Sequence, residues 1–118
     1  MGQKKELTKA ERIAKERRRL TGLFRAVEER KKKTVLGLIE RAAFLRVTLD
    51  ELEENLREGG TTEQFSQGNQ EPYTRERPES RIYATLNANY QKIIKQLTDL
   101  LPKDEPGPKQ EGDAFDAF

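Results

Sequence analysis

The chain has no cysteine and no histidine in its 118 residues. Without cysteine there is no disulfide frame and no thiolate metal site. Without histidine the commonest general base and the commonest zinc ligand are both missing. No nucleophile–base pair, phosphate loop or ligand cluster stands in for them, so an enzyme is the weakest reading and neither cofactor nor small-molecule substrate is expected. There is no run of some 18 apolar residues, so no membrane-spanning segment is expected, and the charged start has no signal-peptide core. The expected location is the cytoplasm. Apolar residues are also scarce: 33% of the chain against 37% charged. That balance is near the limit at which buried surface offsets ordering entropy, so one domain with tails is expected.

The net charge of +2 conceals a polarity. Residues 1–33 hold 13 Lys/Arg and 5 Asp/Glu, a balance of +8, whereas residues 34–118 hold 10 and 16, a balance of −6. Lys9, Arg12, Lys15, Arg17, Arg18, Arg19, Arg25, Arg30, Lys31, Lys32 and Lys33 give the first segment a polyanion-binding character. Thr8 followed by Glu11 reads as a capping box, so a helix is expected to start there. Leu7, Ala10, Ile13, Leu20, Phe24 and Val27 add apolar patterning, and Thr21-Gly22 is the expected break. The segment shows no recognition-helix signature and no aromatic set for stacking single-stranded bases, which leaves non-specific phosphate contact. The alternative is a solvated basic helix that only keeps the protein in solution.

What is plentiful is helical periodicity. Val35, Leu38, Ala42, Leu45, Leu49, Leu52 and Leu56 recur at alternating intervals of three and four, as do Tyr83, Leu86, Tyr90, Ile93, Leu97 and Leu100. Each set lies on one stripe of a helix. Two such seams joined by a polar stretch describe a helical hairpin over 34–101. The first helix is expected over 34–58, continuous through the TLDE stretch at Thr48 and capped by Gly59-Gly60. The link 59–77 reads as loop, and Pro78 opens the second helix, which Pro102 stops. The apolar faces are wide for two helices alone, so the seams are expected to join copies into a homo-oligomer. Tyr83 and Tyr90 read as core, and Asp50, Glu51, Glu53, Glu54 and Glu58 as a solvated face. The expected class is all-α: a basic N-terminal helical segment, a central long helical hairpin that oligomerises, and a disordered tail over 102–118. The tail ends DAFDAF. Asp113, Phe115, Asp116 and Phe118 there suit docking in a partner's apolar groove.

The segments VLGLIERAAFLRVTLDELEENLREGG (35–60) and RPESRIYATLNANYQKIIKQLTDLLPKD (77–104) resemble the small terminase subunit of tailed bacteriophages. The resemblance lies in AAF, TLDELEE, the proline opening, the IY pair and IIKQLTDLLP, and covers a little over half the chain. It implies a viral DNA-packaging adaptor in the host cytoplasm. Such proteins form rings, bind double-stranded viral DNA, and recruit and regulate the large terminase subunit, which holds the ATPase and nuclease. The basic segment departs from many members in lacking a recognisable helix-turn-helix. The rival expectation is a structural, scaffolding coiled-coil protein that does not touch nucleic acid.

Overall fold

A computed structural model describes residues 6–102. Three helices carry the fold: α1 (Lys9–Leu23), α2 (Lys32–Gly59) and α3 (Pro78–Asp99). A one-turn 3-10 segment, Glu29–Lys31, leads into α2. Two short strands, β1 (Thr62–Phe65) and β2 (Tyr73–Glu76), lie between α2 and α3.

Local chemistry fixes the helix ends. The Thr8 side chain accepts from the Glu11 N–H at 3.1 Å, and Glu11 accepts from the Thr8 N–H at 2.8 Å. These reciprocal bonds satisfy two donors that a helix start otherwise leaves unpaired. α1 runs one residue past Gly22, and Phe24 caps it by donating to Leu20 O. α2 continues through Thr48 and stops where Gly60 takes φ +79, a conformation that a side chain disfavours. Pro78 occupies the first turn of α3, where its missing N–H has no cost.

Packing follows from the apolar stripes. α3 returns antiparallel along α2: the Tyr83 hydroxyl donates to Glu53 Oε2 at 2.9 Å near one end. α1 is antiparallel to α2 on its other flank, with Lys9 beside Glu51 and Arg17 beside Glu40. Val35, Ala42, Leu45 and Leu49 are buried against Tyr90, Ile94 and Leu97. Leu38, Tyr83, Leu86, Ile93 and Leu100 are half-buried against the same core. Leu52 and Leu56 are half-buried further along α2. The seams therefore meet each other within one chain.

The extra width of the apolar face has an intramolecular explanation. Leu20, Phe24 and Val27, all from the basic segment, are 0%, 1% and 3% exposed and complete the core with Ile39, Ala43 and Ile94. Full burial of one such side chain contributes about 1.5–3 kcal/mol. The basic segment and the hairpin thus share one core.

The stretch read as loop contains a β-hairpin. Thr62 pairs with Glu76, Glu63 with Arg75, Gln64 with Thr74 and Phe65 with Tyr73. The fold is accordingly mostly helical with a small two-stranded sheet, not all-α throughout. Cross-strand pairs hold it: the Phe65 and Tyr73 rings meet edge to face at 5.8 Å, and Gln64 Nε2 donates to Thr74 Oγ1 at 2.8 Å. Arg75 donates to Glu63 Oε2 at 2.7 Å while its guanidinium lies 3.5 Å from the Phe65 ring centre. Each strand carries only one aromatic residue among polar ones, which is why no period shows in the sequence.

Candidate nucleic-acid interface

The eleven cations of the basic segment divide into two groups. The first is neutralised within the chain. Lys9 Nζ lies 3.0 Å from Glu51 Oε1, and Arg12 lies 3.7 Å from Glu51 and 4.0 Å from Asp50. Arg17 lies 3.5 Å from Glu40. Arg30 pairs with Glu28 at 2.8 Å. Arg19 grips Glu16 with two bonds, of 3.0 and 2.6 Å, and this pairing raises its pKa despite partial burial. Asp50 and Glu51, expected as part of a solvated face, keep 44% and 41% of their side chains exposed and also pair with α1.

The second group has no ion pair among the described residues: Lys15, Arg18, Arg25, Lys31, Lys32 and Lys33. Lys15 and Arg18 are three apart on α1 and both exposed, Lys15 at the rim of a cleft against α2. The Lys32 ammonium donates to the Arg25 carbonyl at 3.0 Å, which draws the turn after α1 over the start of α2. Lys31 caps α2, and Lys32 and Lys33 open it; the first turn contains no acidic residue. A helix start already carries about half a positive charge, so cations there repel it. Three cations therefore stand at the start of a 28-residue helix, with Glu28 and Glu29 in the turn just before them and the Arg25 carbonyl alongside.

A cleft of about 730 Å³ separates α1 from α2. Arg12, Lys15, Arg19 and Arg46 line it, but so do Glu6, Glu16 and Asp50. Its charge is nearly balanced, which makes it a poor anion pocket. Burial pushes the Asp50 carboxyl above its ordinary value; Arg46 opposes this, Glu53 adds to it, and Arg12 and Glu16 contribute less. Burial also raises the Tyr90 phenol, against a nearby Arg46 guanidinium. The Tyr90 hydroxyl is buried without a partner at hydrogen-bond geometry. Among the described residues, no group of three or more His, Cys, Asp or Glu is placed to hold a metal ion. No helix among them is long and apolar enough to cross a membrane.

Sequence reasoning gave Arg77 no role, yet it joins three elements. Its guanidinium donates to Gly60 O at 2.7 Å and to Asn55 Oδ1 at 2.7 Å, and its N–H donates to Thr61 O at 2.9 Å. This fixes the base of the hairpin to the end of α2. Only the position just before Pro78 marks Arg77 in the sequence. The tail residues Asp113, Phe115, Asp116 and Phe118 lie outside the described residues.

No protein-family model, no curated protein and no solved structure matches this chain.

Proposed function

We propose that the chain is a DNA-binding adaptor of viral genome packaging, acting as a small terminase subunit. The observation that carries the DNA-binding half is the start of α2. Lys31, Lys32 and Lys33 stand in a row at the start of a long helix and outnumber Glu28 and Glu29 in the turn before it, with the Arg25 carbonyl bonded to Lys32. Repulsion of this kind is relieved by phosphate, which helix starts and lysines both attract. Lys15 and Arg18 add two exposed cations without an ion pair on α1. Contacts of this type need no base readout and release counterions from duplex DNA.

The packaging half rests on the resemblance of 35–60 and 77–104 to the small subunit, which is a member of ring-forming adaptors. In this reading the protein is a homo-oligomer without catalytic activity. Because the two seams meet within the chain, copies touch through exposed faces. The tail motif Asp113–Phe118 contacts the large terminase subunit.

The rival reading is a scaffolding helical protein without nucleic-acid partners. The pairing of Lys9, Arg12, Arg17 and Arg30 with Glu51, Asp50, Glu40 and Glu28 favours it, since cations matched inside the chain need no phosphate. A titration of short duplex DNA separates the two. The packaging adaptor binds at low salt and releases as salt rises. Absence of binding at the lowest salt selects the scaffold.

A further inference from the structure

α1 and α3 leave one face of α2 uncovered. A shallow groove of about 520 Å³ runs along it, lined by Gly37, Glu40, Arg41, Phe44 and Leu45. Phe44 is 49% exposed there, and the neighbouring Leu36 is 51% exposed. Glu40 has 58% of its side chain exposed although Arg17 lies 3.5 Å from one of its oxygens, which leaves the other side of the carboxylate open. Gly37 is the anomaly in this stretch. Glycine within a helix is destabilising against alanine, and close backbone approach is the usual compensation. Within this chain nothing lies within 4 Å of where a Cβ on Gly37 would stand, so no intramolecular neighbour supplies that compensation.

The groove is self-complementary. If a second α2 is laid antiparallel across it about a two-fold axis between positions 40 and 41, Gly37 of one copy faces Phe44 of the other. Glu40 faces Arg41 of the other copy, and each of these relations occurs twice. The ring fills the space above the glycine, and the two ion pairs close around the axis. Lys9 covers only one side of the Phe44 ring, 5.0 Å from its centre. The same patch matching itself by size and by charge is the property an isologous interface requires.

We propose that this face of α2 is a two-fold contact between copies of the chain, with Phe44 seated over Gly37 and Glu40 paired with Arg41. The proposal rests on the assembly half of the reading above and is independent of DNA binding. A two-fold contact closes on itself and makes pairs, so a ring uses an additional surface.

The test is a charge exchange read by sedimentation velocity, with helix content checked by circular dichroism. Glu40→Arg places like charges across the axis, and so does Arg41→Glu. Each variant alone is expected to lose the dimer that the wild type is expected to form. Mixed one to one they carry opposite charges at the axis, and the dimer is expected to return. Gly37→Leu is the second arm: a Cβ there meets nothing within 4 Å in the single chain and the change removes a helix-weakening glycine, so thermal stability of the fold is expected to hold or rise while the dimer is lost. Unchanged assembly in all three variants, or no recovery on mixing, overturns the two-fold contact while leaving assembly through another face intact. A wild type that is monomeric at every concentration overturns both the contact and the assembly reading.

Discussion

Arg77 reaches across the base of the hairpin to Asn55, its Nη2 lying 2.7 Å from Oδ1 near the end of α2. The same guanidinium satisfies Gly60 O, a carbonyl just past the helix end, and its side chain is only 14% exposed. Planar, two-directional donation of this kind suits arginine and not lysine. Arg77→Ala is expected to destabilise the fold by about 1.5–3 kcal/mol, the range for hydrogen bonds to a charged group. Arg77→Lys should recover less than half of that. Urea denaturation monitored by circular dichroism gives both values; a midpoint unchanged by Arg77→Ala contradicts the role.

The shared core carries a second expectation. Phe24 belongs to the basic segment by sequence but is 1% exposed against α2 and α3. Phe24→Ala should cost about 3–5 kcal/mol, the usual range for a buried aromatic side chain. The helices α2 and α3 should melt with α1 in one transition. Separate transitions for the basic segment and the hairpin would show that the burial is not a common core.

Asp50 gives a pH-dependent expectation. Its carboxyl is raised above 3.8, chiefly by burial. A raised acid favours the folded state most where it is protonated in both states, and that contribution is lost as pH rises through the folded value. At neutral pH the charged carboxylate is therefore a liability, and Asp50→Asn should raise the melting temperature. The gain should shrink as pH falls toward and below 3.8, where wild type and variant carry the same charge. Parallel pH–stability curves for the two proteins contradict this.

Tyr90 makes a further case. Its buried hydroxyl lacks a partner at hydrogen-bond geometry, and an unpaired buried hydroxyl is costly. Tyr90→Phe keeps the ring and should leave stability unchanged or raise it. A loss above about 1 kcal/mol, the value of a net hydrogen bond, would mean that Arg46 bonds the hydroxyl in solution.

The parts of this fold legible in the sequence are those decided by neighbours in the chain. The Thr8–Glu11 box, Pro78 at a first helical turn and the glycine at the end of α2 each state their own geometry. The periodic seams marked α2 and α3 because burial repeats every turn. The hairpin was hidden, since its strands TEQF and YTRE carry one aromatic residue each and show no apolar alternation. Leu20, Phe24 and Val27 were visible as a pattern, but the surrounding charges disguised them as decoration on a basic arm. The division of the cations into paired and unpaired sets was not legible. Arg19–Glu16 and Arg30–Glu28 are local pairs, but those of Lys9, Arg12 and Arg17 depend on Asp50, Glu51 and Glu40 lying across from α1, a relation set by packing.

That division also offers the most direct measurement of the central claim, duplex affinity as a function of salt for two charge-removal variants. In one, Lys15, Arg18, Arg25, Lys31 and Lys33 become Ser; in the other, the ion-paired Lys9, Arg12 and Arg17 become Ser. A plot of log affinity against log salt flattens by about one unit for each phosphate contact removed. A steep slope is expected for the wild type, a strongly flattened one for the first variant, and a slope near wild type for the second. Equal flattening in both variants would contradict the placement of the interface, and a wild type that binds no duplex at low salt would contradict the claim itself.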